Sequence, residues 1–336
     1  MVGILGAGGA LDQIGKPHWR ILDHRIEAGR RELLAFVRAA AARRKLKGQT
    51  MGMFGGRSLG MITATADAAQ WHSLFGVDIE HVDQMEIVRV GEAAGAAEVG
   101  RHTGWLKQSL RGVEFGGLFT EDALDRQVRS YLATKRLSKE RGFDFVGVKC
   151  QPELSDGYTS QCVAHMLMNG ALDAEGPKEG VVHACEADAD GALTMQILHL
   201  ISGGNPAALL DLRLYDKESG YMTLANCGAL PAAFAAPAEA GGSPADITAE
   251  GLAAVEAIPH AFGKGGGCAL PCVIAGREVT LARLSRIGGE YWMAVVSART
   301  EERDRSELAK TTPEFPQGFL RVPVDEEFFR TYGSNH

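Results

Sequence analysis

Two carboxylates and the apolar runs around them are the best candidates for chemistry in this sequence. Glu186, in HACEADADGALTM (183–195), sits between apolar runs at an expected strand-to-helix junction. A carboxylate buried there is costly unless it is paired, hydrogen-bonded or bound to a metal. Asp211 lies 25 residues further on, in AALLDLRLYD (207–216), at the head of an expected strand. Both could stand at one edge where two layers of structure meet. From spacing alone the plainer reading, that Glu186 caps a helix and Asp211 caps a strand, is the stronger of the two.

The elements that must position them follow from the apolar pattern. Residues 2–15 are apolar and glycine-rich and suggest a strand entering a tight loop. A long helix is expected over 26–46, with Leu33, Leu34, Val37 and Ala41 as its apolar stripe. A short strand ending in glycines (49–56), a helix over 66–76 and a further strand within 78–90 come next. A charged helix (120–142), a buried strand (143–151), a helix closed by Gly170 (159–170) and a last apolar helix (191–203) complete a β-α-β-α series. Beyond it, short alternating runs joined by KESG, AGRE and RIGGE turns read as antiparallel strands. The Ala/Gly/Pro-rich stretch 232–256 reads as a surface excursion. The expected fold class is therefore α/β: a three-layer α/β domain with a mainly parallel sheet, followed by a mostly antiparallel, β-barrel-like C-terminal domain.

Composition narrows the function classes. The 336 residues suffice for about two domains at roughly 150 residues each. With 42 acidic and 35 basic residues the net charge is -7, which disfavours a nucleic-acid partner. Mean hydropathy is -0.07, and no stretch approaches the length of a membrane helix. Six cysteines form no CxxC pair, so a zinc ribbon is not expected and reduced thiols in a cytoplasmic protein are. The N-terminus lacks a positively charged leader pattern. LGAGGALDQIGK fails as a dinucleotide fingerprint, because Leu11 stands where the third glycine is needed, and its glycine spacing also fails as a phosphate loop.

ACEADADGALTM (184–195) resembles the glutamate motif of the L-fucose/L-arabinose isomerase family, and four further segments resemble that family in the same order. These are GGRSLGM (55–61), FVGVKCQPELSDGY (145–158), AALLDLRLYD (207–216) and FFRTYGSNH (328–336). The resemblance implies residues 1–47 as the remnant of an N-terminal α/β domain, 48–190 as a central α/β domain and 191–336 as a β-rich C-terminal domain. It implies a Mn²⁺-dependent aldose–ketose isomerase, with Mg²⁺ or Co²⁺ as substitutes, moving a proton between C2 and C1 through an enediol. Glu186 and Asp211 then match the catalytic carboxylates and, with His336, the metal ligands. Gln151, Met61 and Arg57 match the substrate side, and Tyr291 is a candidate pocket residue. Asn226, in ANCG, stands where the arabinose branch has a second histidine, which favours a three-ligand site. The implied partner is a monosaccharide, and the implied assembly is a homo-oligomer, trimer or hexamer, in the cytoplasm. A non-catalytic sugar-binding or truncated relative is the alternative. His183 as a support for Glu186, His260 at the mouth of the barrel, and Glu153 and Tyr158 in the loop after Gln151 complete the candidates.

Overall fold

A computed structural model describes residues 2–21, 23, 25–322 and 327; His336 and the rest of the FFRTYGSNH segment lie outside the described residues. α1 (Val2–Gln13) and α2 (Glu27–Leu46) open the chain. β1 (Thr50–Phe54) leads through 3₁₀ turns at Ser58–Gly60 and Ile62–Ala64 to α3 (Ala68–Phe75) and β2 (Asp78–Val82). α4 (Met85–Glu92), α5 (Ala96–Ser109), β3 (Gly112–Val113) and α6 (Glu121–Arg141) come next, then β4 (Phe145–Val148), α7 (Glu153–Gly157) and α8 (Cys162–Asn169). A small hairpin, β5 (Leu172–Asp173) and β6 (Gly176–Pro177), precedes β7 (His183–Cys185) and α9 (Ala189–Ser202). The remainder runs β8 (Asp211–Asp216), β9 (Tyr221–Ala225), α10 (Pro244–Leu252), β10 (Glu256–Pro259), β11 (Cys268–Ala269), β12 (Glu278–Ile287), β13 (Glu290–Thr300) and β14 (Gln317–Arg321).

The central sheet is parallel, in the order β2-β1-β4-β7. Its inner strands read TMGMF and FVGV, short apolar runs suited to burial on both faces, and every residue of β4 is buried. The helices around it are stopped and started by their own sequence. Asp67, Thr120 and Asp188 cap α3, α6 and α9 by accepting backbone N–H bonds. Gly76, Gly142 and Gly203 end the same helices in the left-handed conformation. One apolar core lies under α6 and α8 around Leu124, Tyr131 and Val163; a second, around Met51, Trp71 and Leu193, lies between β1 and α9.

Four expectations change. Residues 2–13 form a helix, not a strand: the segment joins neither edge of the parallel sheet and folds on itself with Gly8 against the Arg20 guanidinium. The stripe on α2 is exposed at Leu33, Leu34 and Val37; α2 is anchored instead through Ala42 and Leu46. The 232–256 stretch is a surface excursion only in part: residues 237–239 and 241–244 are exposed, but Ala232, Ala236 and Leu252 are buried, and α10 is started by a capping box at Ser243. The C-terminal strands form an open five-stranded antiparallel sheet, β12-β13-β14-β9-β8, not a barrel. β13 touches β14 only at Arg299 and Thr300, so the long β12–β13 hairpin projects outward and β12 never reaches β8.

Gly147 shows how tightly β4 receives the chain that follows β7. A Cβ there would lie 2.7 Å from Cε of Met51 and 3.2 Å from Cα of Ala187. The methionine can yield but the backbone resists, so Gly147→Ala should destabilise the fold by about 2 kcal/mol. Urea unfolding checks this: the midpoint should fall with an unchanged slope.

Candidate functional site

In a parallel sheet, ligands bind beyond the carboxyl ends of the strands. Three loops meet there: Gly55–Asp67 after β1, Lys149–Pro152 after β4 and Glu186–Asp188 after β7. Glu186 and Ala187 both stand at positive φ, 60° and 50°. Residues with side chains seldom adopt this region, and its cost is met only where surrounding bonds enforce it. Here Ala187 N–H donates to Val148 O at 3.1 Å, and Asp188 N–H donates to Cys185 O at 3.2 Å.

Gln151 borders a narrow cavity together with Cys150, Cys185, Asn226, Cys227 and His260. The cavity has room for roughly one water, so a monosaccharide would have to lie outside it, at its mouth. Glu186 directly follows Cys185 and acts electrostatically on Cys150 and Cys185. Asp211 heads β8 opposite Ala225, the residue before Asn226. Asn226 Nδ2 donates to Leu209 O at 3.1 Å, and its Oδ1 accepts from the N–H groups of Gly228 and Ala229. The sulfurs of Cys185 and Cys227 are 3.7 Å apart. The segments carrying Glu186 and Asp211 therefore meet across Asn226 and this sulfur pair.

The cavity floor is neutral. His165 and His183 share a hydrogen bond between their Nδ1 atoms, at 3.3 Å, and burial lowers both, His165 to about 4. Asn169 fixes the pair: it donates to both carbonyls and accepts from His183 N–H. His183 is thus tied to His165 and Asn169. Burial also pushes His260 down to about 4 and the Cys150 thiol up to about 12.

The other expected residues are spread around this edge. Met61 is half-buried and Arg57 exposed in the loop after β1, which Ser58 Oγ ties to Gln151 O at 3.5 Å. Glu153 pairs with Lys149 at 2.7 Å, and the Tyr158 hydroxyl donates to Glu92. Tyr291 does not border the cavity. Its hydroxyl accepts from Trp71 Nε1 at 2.8 Å, and Trp71 also reaches Asp190 Oδ1 at 3.2 Å.

Sequence reasoning missed the ion pair beside that group. Arg283, on β12, donates to both oxygens of the fully buried Asp188 and to Thr63 O. The Asp-x-x-Gly pattern at 188–191 was a visible helix-cap signal; its arginine, 95 residues away, was not. Also missed was a cluster in which His102, Asp173 and Glu175 bring ligand atoms within 4.8 Å of one another. Lys135 already bridges its two carboxylates, at 2.7 and 2.6 Å, and Tyr131 donates to Asp173, so the protein supplies this cluster's own cation.

Over 211 residues, 55% of this chain and 35% of the relative, the sequence is 25% identical to the L-fucose isomerase of Citrobacter koseri. The chain is similar to L-fucose isomerases. The L-fucose isomerase of Salmonella typhi gives the same figures. The sulfoquinovose isomerase of Alkalicoccus urumqiensis is 23% identical over 191 residues, 55% of this chain and 40% of the relative. The chain thus spans between 35% and 40% of the length of these relatives. No family model matches it. Among the described residues no helix is long and apolar enough to cross a membrane.

Burial raises the Asp190 carboxyl to about 6, against the opposing pull of Arg283. A raised acid takes up a proton on folding, so the stability that proton carries is present below about pH 4 and lost as pH rises through about 6. Asp190→Asn keeps an acceptor for Trp71 without the charge. Its melting temperature should exceed that of the parent at pH 7.5, and the gap should close toward pH 4. A gap independent of pH would contradict the assignment.

Proposed function

We propose that this chain carries the catalytic carboxylates of a metal-dependent aldose–ketose isomerase of the L-fucose isomerase type. What supports the reading is the strained left-handed turn that holds Glu186 at the carboxyl edge of the parallel sheet, in a chain of which 55% is similar to sugar isomerases. Glu186 and Asp211 offer the hard oxygen donors that Mn²⁺ or Mg²⁺ takes. The third expected donor, His336, lies outside the described residues. When bound, such an ion offsets the negative charge that develops on the sugar oxygens O1 and O2.

The remaining steps belong to the protein. One carboxylate takes the proton from C2 of the open-chain aldose and returns it at C1. The other moves a proton between O1 and O2, which turns the aldehyde into the ketone by way of an enediol. Gln151 binds a sugar hydroxyl from the loop after β4, while Met61 and Arg57 border the sugar from the loop after β1. The neutral His165–His183 pair beneath keeps cationic charge away from the carboxylates. The working assembly is a cytoplasmic homo-oligomer acting on a monosaccharide.

The test is ketose formation from a panel of D- and L-aldoses, fucose and arabinose among them, with Mn²⁺ and with an EDTA-treated control. Turnover should require the metal. Glu186→Gln should lower it by about 10³ or more with an unchanged melting temperature. Mn²⁺ binding without turnover on any aldose would favour a sugar-binding relative, and ketose formation in EDTA would overturn the metal role.

A further inference from the structure

Cys185 ends β7 and Cys227 lies two residues beyond β9, and their sulfurs stand 3.7 Å apart. Both thiols are free and both are partly exposed, whereas the other four cysteines are buried. A disulfide needs its sulfurs about 2.05 Å apart. The pair borders the narrow cavity that Cys150 and Cys162 also line, and of these four only Cys185 and Cys227 are partly exposed, which gives oxidant a path to them. The pair also sits between the two candidate carboxylate segments. Glu186 follows Cys185 directly, and Asn226, which precedes Cys227, is bonded to Leu209 just before Asp211.

We propose that Cys185 and Cys227 form a reversible disulfide that switches off the carboxylate site. The switching part rests on the isomerase reading; the bond itself does not. With hydrogen peroxide as oxidant, both S–H bonds and the O–O bond break, one S–S bond forms and two waters leave. The thiols lose two electrons and two protons, and the peroxide takes them up. A small-molecule disulfide does the same by exchange through a mixed disulfide, releasing two thiols. Closing the sulfur gap draws the strained Glu186 turn toward the Asn226 turn, which changes the spacing of Glu186 and Asp211.

The experiment oxidises the full chain with hydrogen peroxide, caps the remaining thiols, and maps peptides by mass spectrometry. Mn²⁺ binding is followed on the same samples by electron paramagnetic resonance. The expected product is a Cys185–Cys227 cross-link with Cys268 and Cys272 capped, and with Mn²⁺ bound about tenfold more weakly; dithiothreitol should reverse both. Cys227→Ser should give no cross-link and Mn²⁺ binding that peroxide leaves unchanged. A link from either cysteine to Cys150 or Cys162 instead, or sulfinic acid without a link, overturns the proposal. A correct link that leaves Mn²⁺ binding unaltered overturns the switch. Because the link is read by mass, it is decided whether or not the reduced chain binds Mn²⁺ or converts a sugar.

Discussion

The edge of this structure depends on holding two consecutive non-glycine residues, Glu186 and Ala187, in the left-handed region. Each costs of order 1 kcal/mol relative to an extended or helical backbone. Relaxing the turn would swing Glu186 away from the carboxyl end of the sheet. The bonds that prevent this come from both sides of the molecule. Ala187 is hydrogen-bonded to β4, whose Gly147 leaves just enough space for it. Asp188 bonds back to Cys185 and at once caps α9.

Asp188 carries the second half of the constraint. Its carboxylate is fully buried and would be expensive alone, so Arg283 must stay against it. Losing one member of such a buried pair costs about 3–5 kcal/mol, because the other is left as an unmatched charge. Arg283 belongs to the open antiparallel sheet and also binds Thr63 O, in the loop that carries Arg57 and Met61. One guanidinium thus fixes the loop after β1, the cap of α9 and the face of β12 together. Trp71, Tyr291 and Asp190 extend this lock through the bonds of Trp71 Nε1.

The local elements were largely legible. The charged helix at 121–141, the buried strand at 145–148 and the strand-to-helix junction flanking Glu186 all follow from periodicity, caps and glycine stops. The α1 segment was not, because a run of small apolar residues carries no period to separate strand from helix. Sheet closure was not legible either: alternation marks strands but does not say that β13 and β14 share only two residue pairs. At the site, residue types and chain order suggested which carboxylates to watch. The groups that hold them, Arg283 with Asp188, Asn169 with His183, and the Cys185–Cys227 pair, are separated by between 14 and 95 residues and meet only through the fold.

The most direct test of this account is a Mn²⁺-soaked crystal structure with anomalous diffraction measured near the manganese edge. The account requires the anomalous peak to lie against Glu186 and Asp211, beside the mouth of the Gln151 cavity. A peak at His102, Asp173 and Glu175 with Lys135 displaced, and none at Glu186, would contradict it.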